Sequence, residues 1–274
     1  MRTVADVREA LREPRGRGER IGLVPTMGAF HAGHLALMRA AREASDVVVV
    51  SLFVNPSQFN AAEDLARYPR DEEADAATAE NAGADMLFAP SVEELYPDGF
   101  DTWVEPGELG SVLEGASRPG HLRAVATVCT KLFSIVQPSV ALFGQKDAQQ
   151  VAVVRRVVAD LNVPVEIVTV PTVRDADGLA LSSRDVFLSP AERAAALALP
   201  QALAAGLAAH RSGGDPVAVA RSALDAEPRL TVDYVAVANF DGPTLVAAVR
   251  VGATRLIDNA PLEAAAGGTA AATN

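Results

Sequence analysis

The chain has 274 residues, of which 49% are hydrophobic and 22% are charged, and its formal net charge is −11. This composition supports a sizeable buried core and excludes a fibrous or intrinsically disordered protein. The negative charge argues against nucleic-acid binding, which draws its affinity from basic patches. No apolar run approaches the length of about 20 residues that a membrane-spanning helix needs. Residues 1–20 lack the apolar stretch of a secretory signal, so the sequence predicts a cytoplasmic protein.

Short apolar runs rich in β-branched residues alternate with amphipathic segments up to about residue 170, after a short N-terminal helix. This alternation predicts an α/β fold, a Rossmann-like doubly wound parallel sheet whose ligands lie beyond the carboxyl ends of the strands. The predicted strands cover residues 21–25, 46–54, 85–89, 140–143 and 165–170. The predicted helices cover residues 33–44, 71–82, 120–136 and 147–161.

The pattern changes after Pro171. Residues 172–184 are polar and contain glycine, which predicts a loop or hairpin, and Ser189-Pro190 favours the start of an Ala-rich helix. A helix near 216–225 and strands at 230–238, 246–251 and 254–258 complete a second, smaller α+β unit. The sequence therefore predicts a Rossmann-like domain over 1–171, a small α+β lid domain over 172–262 and a disordered tail over 263–274.

The segment PTMGAFHAGH, residues 25–34, joins the first predicted strand to the first predicted helix. Gly28 and Gly33 allow a tight turn close to a ligand, and His31 and His34 are spaced to face the same way. A helix start also offers unpaired N–H groups and a partial positive charge. These features predict a phosphate site with two imidazole donors. The alternative is that each histidine only caps the helix or fills the core.

Two further segments follow predicted strands. In FVNPSQF, the amides of Asn55 and Gln58 suit the hydroxyl and carboxylate groups of a substrate, although an Asn-Pro turn with solvated amides is the alternative. In FGQKDAQQ, Lys146 is one of only two lysines and is suited to neutralising a phosphate. Asp147 fits a helix N-cap and a ligand contact equally well, and Gln150 lies one turn further on.

Three other features contain polar, charged or thiol side chains that bear on function. Residues 182–184 (SSR) lie in a Gly-containing loop that suits a lid over a triphosphate, or an ordinary polar linker. In SRPGH, Arg118 is suited to a carboxylate or phosphate, and His121 is interpreted as a structural residue at a helix start. Cys129, the only cysteine, stands in an apolar helical run and is predicted to be a buried core residue.

The motifs PTMGAFHAGH, SLFVNPSQF, SRPGH, FGQKDAQQ and GLALSSRD resemble, in order and spacing, those of the pantothenate synthetase (pantoate–β-alanine ligase) family within the HxGH nucleotidylyltransferase superfamily. The resemblance covers residues 21–188 and continues more weakly to about 259. It implies an ATP-dependent ligase that forms pantoyl adenylate and then pantothenate, releasing pyrophosphate and AMP. It also implies Mg²⁺ accompanying ATP with few dedicated protein ligands, a homodimer, and no nucleic-acid or membrane partner.

The resemblance also implies roles for individual residues. The implied catalytic residues are His31, His34, Lys146 and Arg184, with His34 as the proton donor. The implied ATP-binding residues are Met27, Gly28, Ala29, Phe30, His31, Ala32, Gly33, His34, Gly144, Gln145, Lys146, Asp147, Val173, Leu181, Ser182, Ser183 and Arg184. The implied pantoate-binding residues are Asn55, Gln58, Arg118 and Gln150, and Gln58 also lies near β-alanine.

The sequence departs from the family pattern at five positions. Gln145 stands in place of Glu, Ala32 in place of a polar residue, Asp185 in place of Asn, and Leu122 and Ala124 in place of Phe and Gly. Two other functions are alternatives to the ligase. A nucleotidylyltransferase for a phosphorylated acceptor would need more cations than the amides at 58 and 150 provide, and a non-catalytic nucleotide-binding protein would release no AMP.

Overall fold

A computed structural model describes residues 1–60 and 62–262, and the tail predicted over 263–274 lies outside them. Close contacts divide the chain into two compact units. The first combines Met1–Val173 with Leu181–Ser183, and the second combines Arg174–Ala180 with the chain from Arg184 onward. The division falls two residues after the boundary predicted at 171, and the interpretation of the second unit as a lid stays a prediction.

The first unit is built on a parallel five-stranded sheet, as the alternating pattern predicted. Its strand order is β3-β2-β1-β4-β5, and all neighbours pair in parallel. The order reverses between β1 and β4, and ligands of doubly wound sheets bind at such a switch point. The strands are β1 Ile21–Thr26, β2 Val47–Leu52, β3 Met86–Phe88, β4 Val140–Gly144 and β5 Glu166–Val170.

Helices flank this sheet, and apolar layers fill the space between helices and strands. Leu37, Met38 and Ala41 of the first long helix pack with buried residues of the central strands, while Val125 and Leu132 of another long helix belong to a second cluster. Cys129 is buried in that second cluster, which confirms its prediction as a core residue. The helices of this unit are α1 Val4–Ala10, α2 Arg12–Gly16, α3 Ala32–Ala44, α4 Ala62–Arg67, α5 Glu72–Asn81, α6 Val92–Leu95, α7 Glu114–Ser117, α8 His121–Val136 and α9 Ala148–Asp160.

The second unit packs helices on an antiparallel sheet of order β6-β7-β8. The hydroxyl of Ser189 accepts from the Glu192 N–H, and the Glu192 carboxylate accepts in return from the Ser189 N–H, which explains the helix start predicted at Ser189-Pro190. Its helices and strands are α10 Pro190–Ala196, α11 Ala198–Arg211, α12 Pro216–Asp225, β6 Leu230–Asn239, β7 Pro243–Val251 and β8 Thr254–Pro261.

The predicted hairpin at 172–184 is present as a single antiparallel bridge between Arg174 and Ala180. Both guanidinium Nη atoms of Arg174 donate to the carboxylate of Asp258, at 2.6 and 3.1 Å. The Asp258 side chain is 1% exposed, so this ion pair neutralises a buried charge. Across the described residues, no helix is both long and apolar enough to cross a membrane.

Candidate functional site

The turn between β1 and α3 has a left-handed backbone conformation that residues other than glycine rarely adopt. Gly28 has φ +88° and Ala29 has φ +53°, so two successive residues lie in the left-handed region. A Cβ atom on Gly28 would lie 2.6 Å from both Asp75 Oδ2 and Leu52 Cδ1, which leaves no room for a side chain. For Ala29 the left-handed conformation costs about 1–2 kcal/mol, and other contacts have to offset that cost.

Asp75, on α5, supplies those contacts. Its Oδ2 accepts a hydrogen bond from Ala29 N and its Oδ1 accepts one from Phe30 N, both at 2.9 Å. The residue is 5% exposed, so the two backbone donors replace the water that its carboxylate loses on burial. Sequence reasoning missed this role, because Asp75 stands in an acidic run that is typical of a solvated helix face.

The two histidines cap α3 reciprocally. His31 Nδ1 accepts from Gly33 N at 3.1 Å, and His34 Nδ1 accepts from His31 N at 3.3 Å. Their ring centroids are 4.2 Å apart. A Cβ atom on Gly33 would lie 2.9 Å from His31 Cε1, so the glycine makes room for the ring. The prediction of unpaired N–H groups at this helix start is wrong for Gly33 and His34, since both donate to His31.

Capping fixes the tautomer of both rings. Because each Nδ1 accepts from a backbone N–H, a neutral ring carries its proton on Nε2 and presents an Nε2–H donor. Burial first, and then the Lys146 charge, lower the pKa of His31, while Asp147 acts in the opposite direction. Burial first, and then His31, lower the pKa of His34 to about 3. Both rings are therefore neutral donors at neutral pH, so the capping and ligand-binding interpretations are compatible.

Asn55 and Gln58 follow β2 at the same edge of the sheet. Asn55 Oδ1 caps a 3₁₀ turn, Pro56–Gln58, by accepting from Ser57 N at 3.3 Å and Ser57 Oγ at 2.7 Å. Asn55 is fully buried and Gln58 is 8% exposed, so the alternative of solvated amides is wrong. Among the described residues, the buried Asn55 Nδ2 makes no hydrogen bond of good geometry. The Tyr96 hydroxyl nevertheless lies near it, since burial raises the pKa of Tyr96 and Asn55 lowers that pKa by a smaller effect. A buried donor of this kind calls for a polar ligand or water.

Arg118 and His121 converge on the backbone of Gln58. Arg118 Nη2 donates to Gln58 O at 3.2 Å, and His121 Nδ1 lies 3.0 Å from the same oxygen. Arg118 Nη1 lies 3.0 Å from His121 Nε2. His121 begins α8, as predicted, but the sequence did not indicate that it would reach the segment after β2.

The segment after β4 forms a 3₁₀ turn, Gln145–Asp147, that leads into α9. Lys146 and Asp147 lie close enough to His31 to shift its pKa in opposite directions. Asp147 occupies the N-cap position of α9 without a side-chain capping hydrogen bond, which favours the ligand-contact interpretation. Gln150 lies in the first turn of α9 and is partly buried.

Gln149, which was not predicted, anchors the chain before Arg118. It is 5% exposed, and its Nε2 donates to Leu109 O at 2.8 Å and to Val112 O at 2.9 Å. Its Oε1 accepts from Glu114 N at 3.0 Å. One side chain thus closes three backbone hydrogen bonds, which the sequence pattern of a helix start does not reveal.

The predicted loop residues divide between the two units. Val173 and Leu181–Ser183 belong to the first unit, where Leu181 N donates to Val173 O at 3.0 Å and Ser183 Oγ lies 3.5 Å from Ala29 O. Arg184 belongs to the second unit, so the first unit does not contain that predicted residue. In residues 1–60 and 62–262, no group of three or more His, Cys, Asp or Glu side chains is arranged to hold a metal ion.

The site residues contained in the first unit lie at the carboxyl ends of β2, β1 and β4, which are neighbours in the sheet, or on the segments packed there. The model of the family described as Pantoate-beta-alanine ligase matches residues 1–261. Pantothenate synthetase from Moorella thermoacetica is 53% identical, over 96% of this chain and 98% of that protein.

Solved structures agree with this match. The crystal structure of pantothenate synthetase from Thermus thermophilus has a TM-score of 0.90 at 47% identity, covering 96% of this chain and 98% of that one. That of pantoate-beta-alanine ligase from Francisella tularensis, complexed with beta-gamma ATP and beta-alanine, has a TM-score of 0.83 at 33% identity, covering 96% and 97%. The chain therefore belongs to the pantoate–β-alanine ligase family.

Proposed function

We propose that this chain joins pantoate to β-alanine in an ATP-dependent ligase reaction that proceeds through pantoyl adenylate. The observation that carries the proposal is the pair of neutral Nε2–H donors, His31 and His34, beside Lys146 at the β1–β4 switch point. The family match and the relatives of about half-identical sequence support it. A phosphorylated acceptor would call for additional cations, which the amides at positions 58 and 150 do not supply.

In the first step, a carboxylate oxygen of pantoate attacks the α-phosphorus of ATP, and the bond to the β,γ-pyrophosphate breaks. Negative charge grows on the leaving group, and donors that are already oriented stabilise it without reorganising. We assign this role to His31 and His34 through Nε2–H, and to Lys146 as a positive charge. Because the pKa of His34 is lowered to about 3, this ring is neutral at neutral pH. It therefore acts first as a hydrogen-bond donor to the leaving group, and any proton donation comes later.

The remaining residues of the ATP and phosphate assignment follow from the same geometry and from the resemblance. The turn of residues 27–30 would line the phosphates, with Gly144, Gln145 and Asp147 on the nucleotide. Val173 and Leu181–Ser183, which belong to the first unit, would complete the set of residues around the nucleotide. Arg184 keeps the phosphate-binding role that the resemblance implies.

Pantoate binding is assigned to the segment after β2. The buried Nδ2 of Asn55, beside the Tyr96 hydroxyl, would donate to a pantoate oxygen, and the amides of Gln58 and Gln150 would bind the hydroxyl and carboxylate groups of pantoate. Arg118 would approach the carboxylate with the guanidinium that also touches Gln58 O. In the second step the β-alanine amine, held near Gln58, attacks the acyl carbon, loses a proton and displaces AMP.

Mg²⁺, dimerisation and location complete the proposal. As the resemblance implies, Mg²⁺ would accompany ATP and be bound mainly by phosphate oxygens and water, where it would neutralise phosphate charge. We propose a homodimer from the resemblance, and a cytoplasmic reaction because ATP is its substrate.

The test measures AMP release from ATP and Mg²⁺ with pantoate, in the presence and absence of β-alanine. We expect strong release only when both are present, and at least about tenfold less for Lys146→Ala. Lys131→Ala is the matched control, because Lys131 is the only other lysine and stacks on the Phe100 ring. Binding of ATP with no AMP release in the wild type would contradict the proposed reaction. Wild-type rates in Lys146→Ala would contradict the site.

A further inference from the structure

We propose that His121 is a positioning residue that sets the pantoate subsite by holding Arg118 and the main-chain carbonyl of Gln58 in one fixed arrangement. This inference rests on the proposed function, since it concerns the subsite assigned to pantoate. No substrate atom needs to touch His121 for the role, because it acts through the two residues that it contacts.

The three groups form a closed set of contacts. His121 Nδ1 and Arg118 Nη2 both approach Gln58 O, at 3.0 and 3.2 Å, and Arg118 Nη1 approaches His121 Nε2 at 3.0 Å. His121 is 9% exposed and Gln58 is 8% exposed, so water competes little with these bonds. In such surroundings a lost partner leaves a polar group unsatisfied, which is more costly than losing a bond at the surface.

The chemistry of the partners fixes the tautomer of His121. A carbonyl oxygen only accepts, so Nδ1 must carry the proton that points to Gln58 O. A guanidinium only donates, so Nε2 must offer its lone pair to Arg118. His121 is therefore an Nδ1–H tautomer, the opposite of the Nε2–H tautomer that capping imposes on His31 and His34.

Protonation of the ring would break this arrangement, because an Nε2–H would face the Arg118 donor. The groups that act on the ring are Arg118, the Gln58 carbonyl, Glu114 and Asp147. Burial first, and then Arg118, lower the pKa of His121 to about 4, while the carbonyl and the two carboxylates act in the opposite direction. The ring consequently stays neutral throughout the neutral pH range.

The arrangement affects pantoate binding because the position of the Gln58 backbone sets the direction of the Gln58 side chain. Gln58 N donates to Asn55 O at 3.1 Å, so both the N–H and the C=O of this residue are fixed. Releasing the carbonyl loosens the 3₁₀ turn that carries the Gln58 amide, and also releases Arg118. The ATP phosphates are assigned to the turn after β1 and to Lys146, so ATP binding should change much less.

The first experiment compares His121→Phe, His121→Gln and His210→Gln. Phe keeps the ring volume without either bond, whereas Gln carries one donor and one acceptor and can restore both. We expect at least a tenfold rise in KM for pantoate in His121→Phe, about 1.4 kcal/mol, with KM for ATP within about twofold. His121→Gln should return to within about threefold of wild type. His210 lies exposed on α11, and His210→Gln should behave as wild type.

A uniform loss of kcat in His121→Phe with no change in KM for pantoate would overturn the inference, as would no recovery in His121→Gln. The second experiment uses the unmodified protein, labelled with ¹⁵N at histidine, in case His121→Phe fails to fold. At pH 6 the His121 signals should show a neutral ring protonated at Nδ1. An Nε2–H tautomer or a protonated ring would also overturn it. A wild-type protein that makes no pantothenate would instead refute the proposed function, whatever the tautomer.

Discussion

Asp75→Asn tests whether a residue that touches no substrate shapes the turn between β1 and α3, to which we assign the ATP phosphates. The carboxylate accepts from Ala29 N and Phe30 N, each at 2.9 Å, and a hydrogen bond to a charged group contributes about 1.5–3 kcal/mol. An asparagine keeps one acceptor but directs an NH₂ donor at the other backbone N–H. We therefore expect the free energy of unfolding of the first unit to fall by about 1.5–3 kcal/mol.

The same change should reduce catalysis, because the turn residues Gly28 and Ala29 would be free to leave their left-handed conformation. If the lost energy appears in the transition state, the rate of AMP release falls about ten- to hundredfold. The loss should come with a higher KM for ATP and an unchanged KM for pantoate.

Glu73→Gln is the matched control, since Glu73 lies exposed on the same helix and the substitution removes the same charge. It should leave both stability and rate at wild-type values. Urea unfolding followed by circular dichroism, and initial rates of AMP release, measure the two effects. Equal behaviour of Asp75→Asn and Glu73→Gln would show that charge alone, and not the two backbone bonds, explains any change.

The other predictions concern buried ionisable groups. The unfolded His34 side chain takes up a proton near pH 6.5, whereas the folded one does so only near pH 3. The free energy of unfolding therefore falls as the pH drops through this window, by up to about 1.4 kcal/mol per pH unit. In His34→Gln the urea midpoint should depend less on pH over the same range. Burial raises the pKa of Cys129 to about 12, so a thiol reagent at pH 8 should react only after unfolding. Arg174→Met leaves the 1% exposed Asp258 carboxylate without its partner and should cost about 3–5 kcal/mol in calorimetry of the second unit. Asp225→Asn, in an exposed helical pair, should cost under about 0.5 kcal/mol.

The parallel sheet could be predicted from the sequence because each strand is a short, mainly apolar run with its own flanking signals. The inner strands are mostly buried, whereas the edge strands β3 and β5 are only partly buried. Val47–Leu52 is a β-branched run, and its parallel, central position follows from burial on both faces. The four-residue helices α6 and α7 were not predicted, since fewer than two turns cannot show a helical period. The strand β7 begins at Pro243, earlier than predicted, because a proline at the first position of a strand loses no ladder bond.

The sequence motifs indicate the candidate site residues but not the residues that support them. His31, His34 and Lys146 could be found because they stand in short motifs at strand ends, where the topology collects them. Asp75 and Gln149 could not, because they come from helices whose sequence gives no indication of the loop that each one binds. Their bonds depend on tertiary contacts between segments 35 to 46 residues apart.

The neutral state of His31 and His34 suits the phosphate-binding role that we propose for them in an acidic protein. Burying a charged imidazolium is costly, whereas a neutral ring pointed by its own capping bond keeps a directed Nε2–H at little cost. In the proposed site, Lys146 carries the fixed positive charge, and a bound polyanion would raise the pKa of His31 and His34 back toward the ordinary value. His121 carries the opposite tautomer because its partners are a carbonyl and a guanidinium. In all three rings a backbone group contacts Nδ1. An N–H at that position leaves an Nε2–H donor, which we propose for the phosphates in His31 and His34, whereas a C=O leaves Nε2 of His121 as the acceptor that supports Arg118.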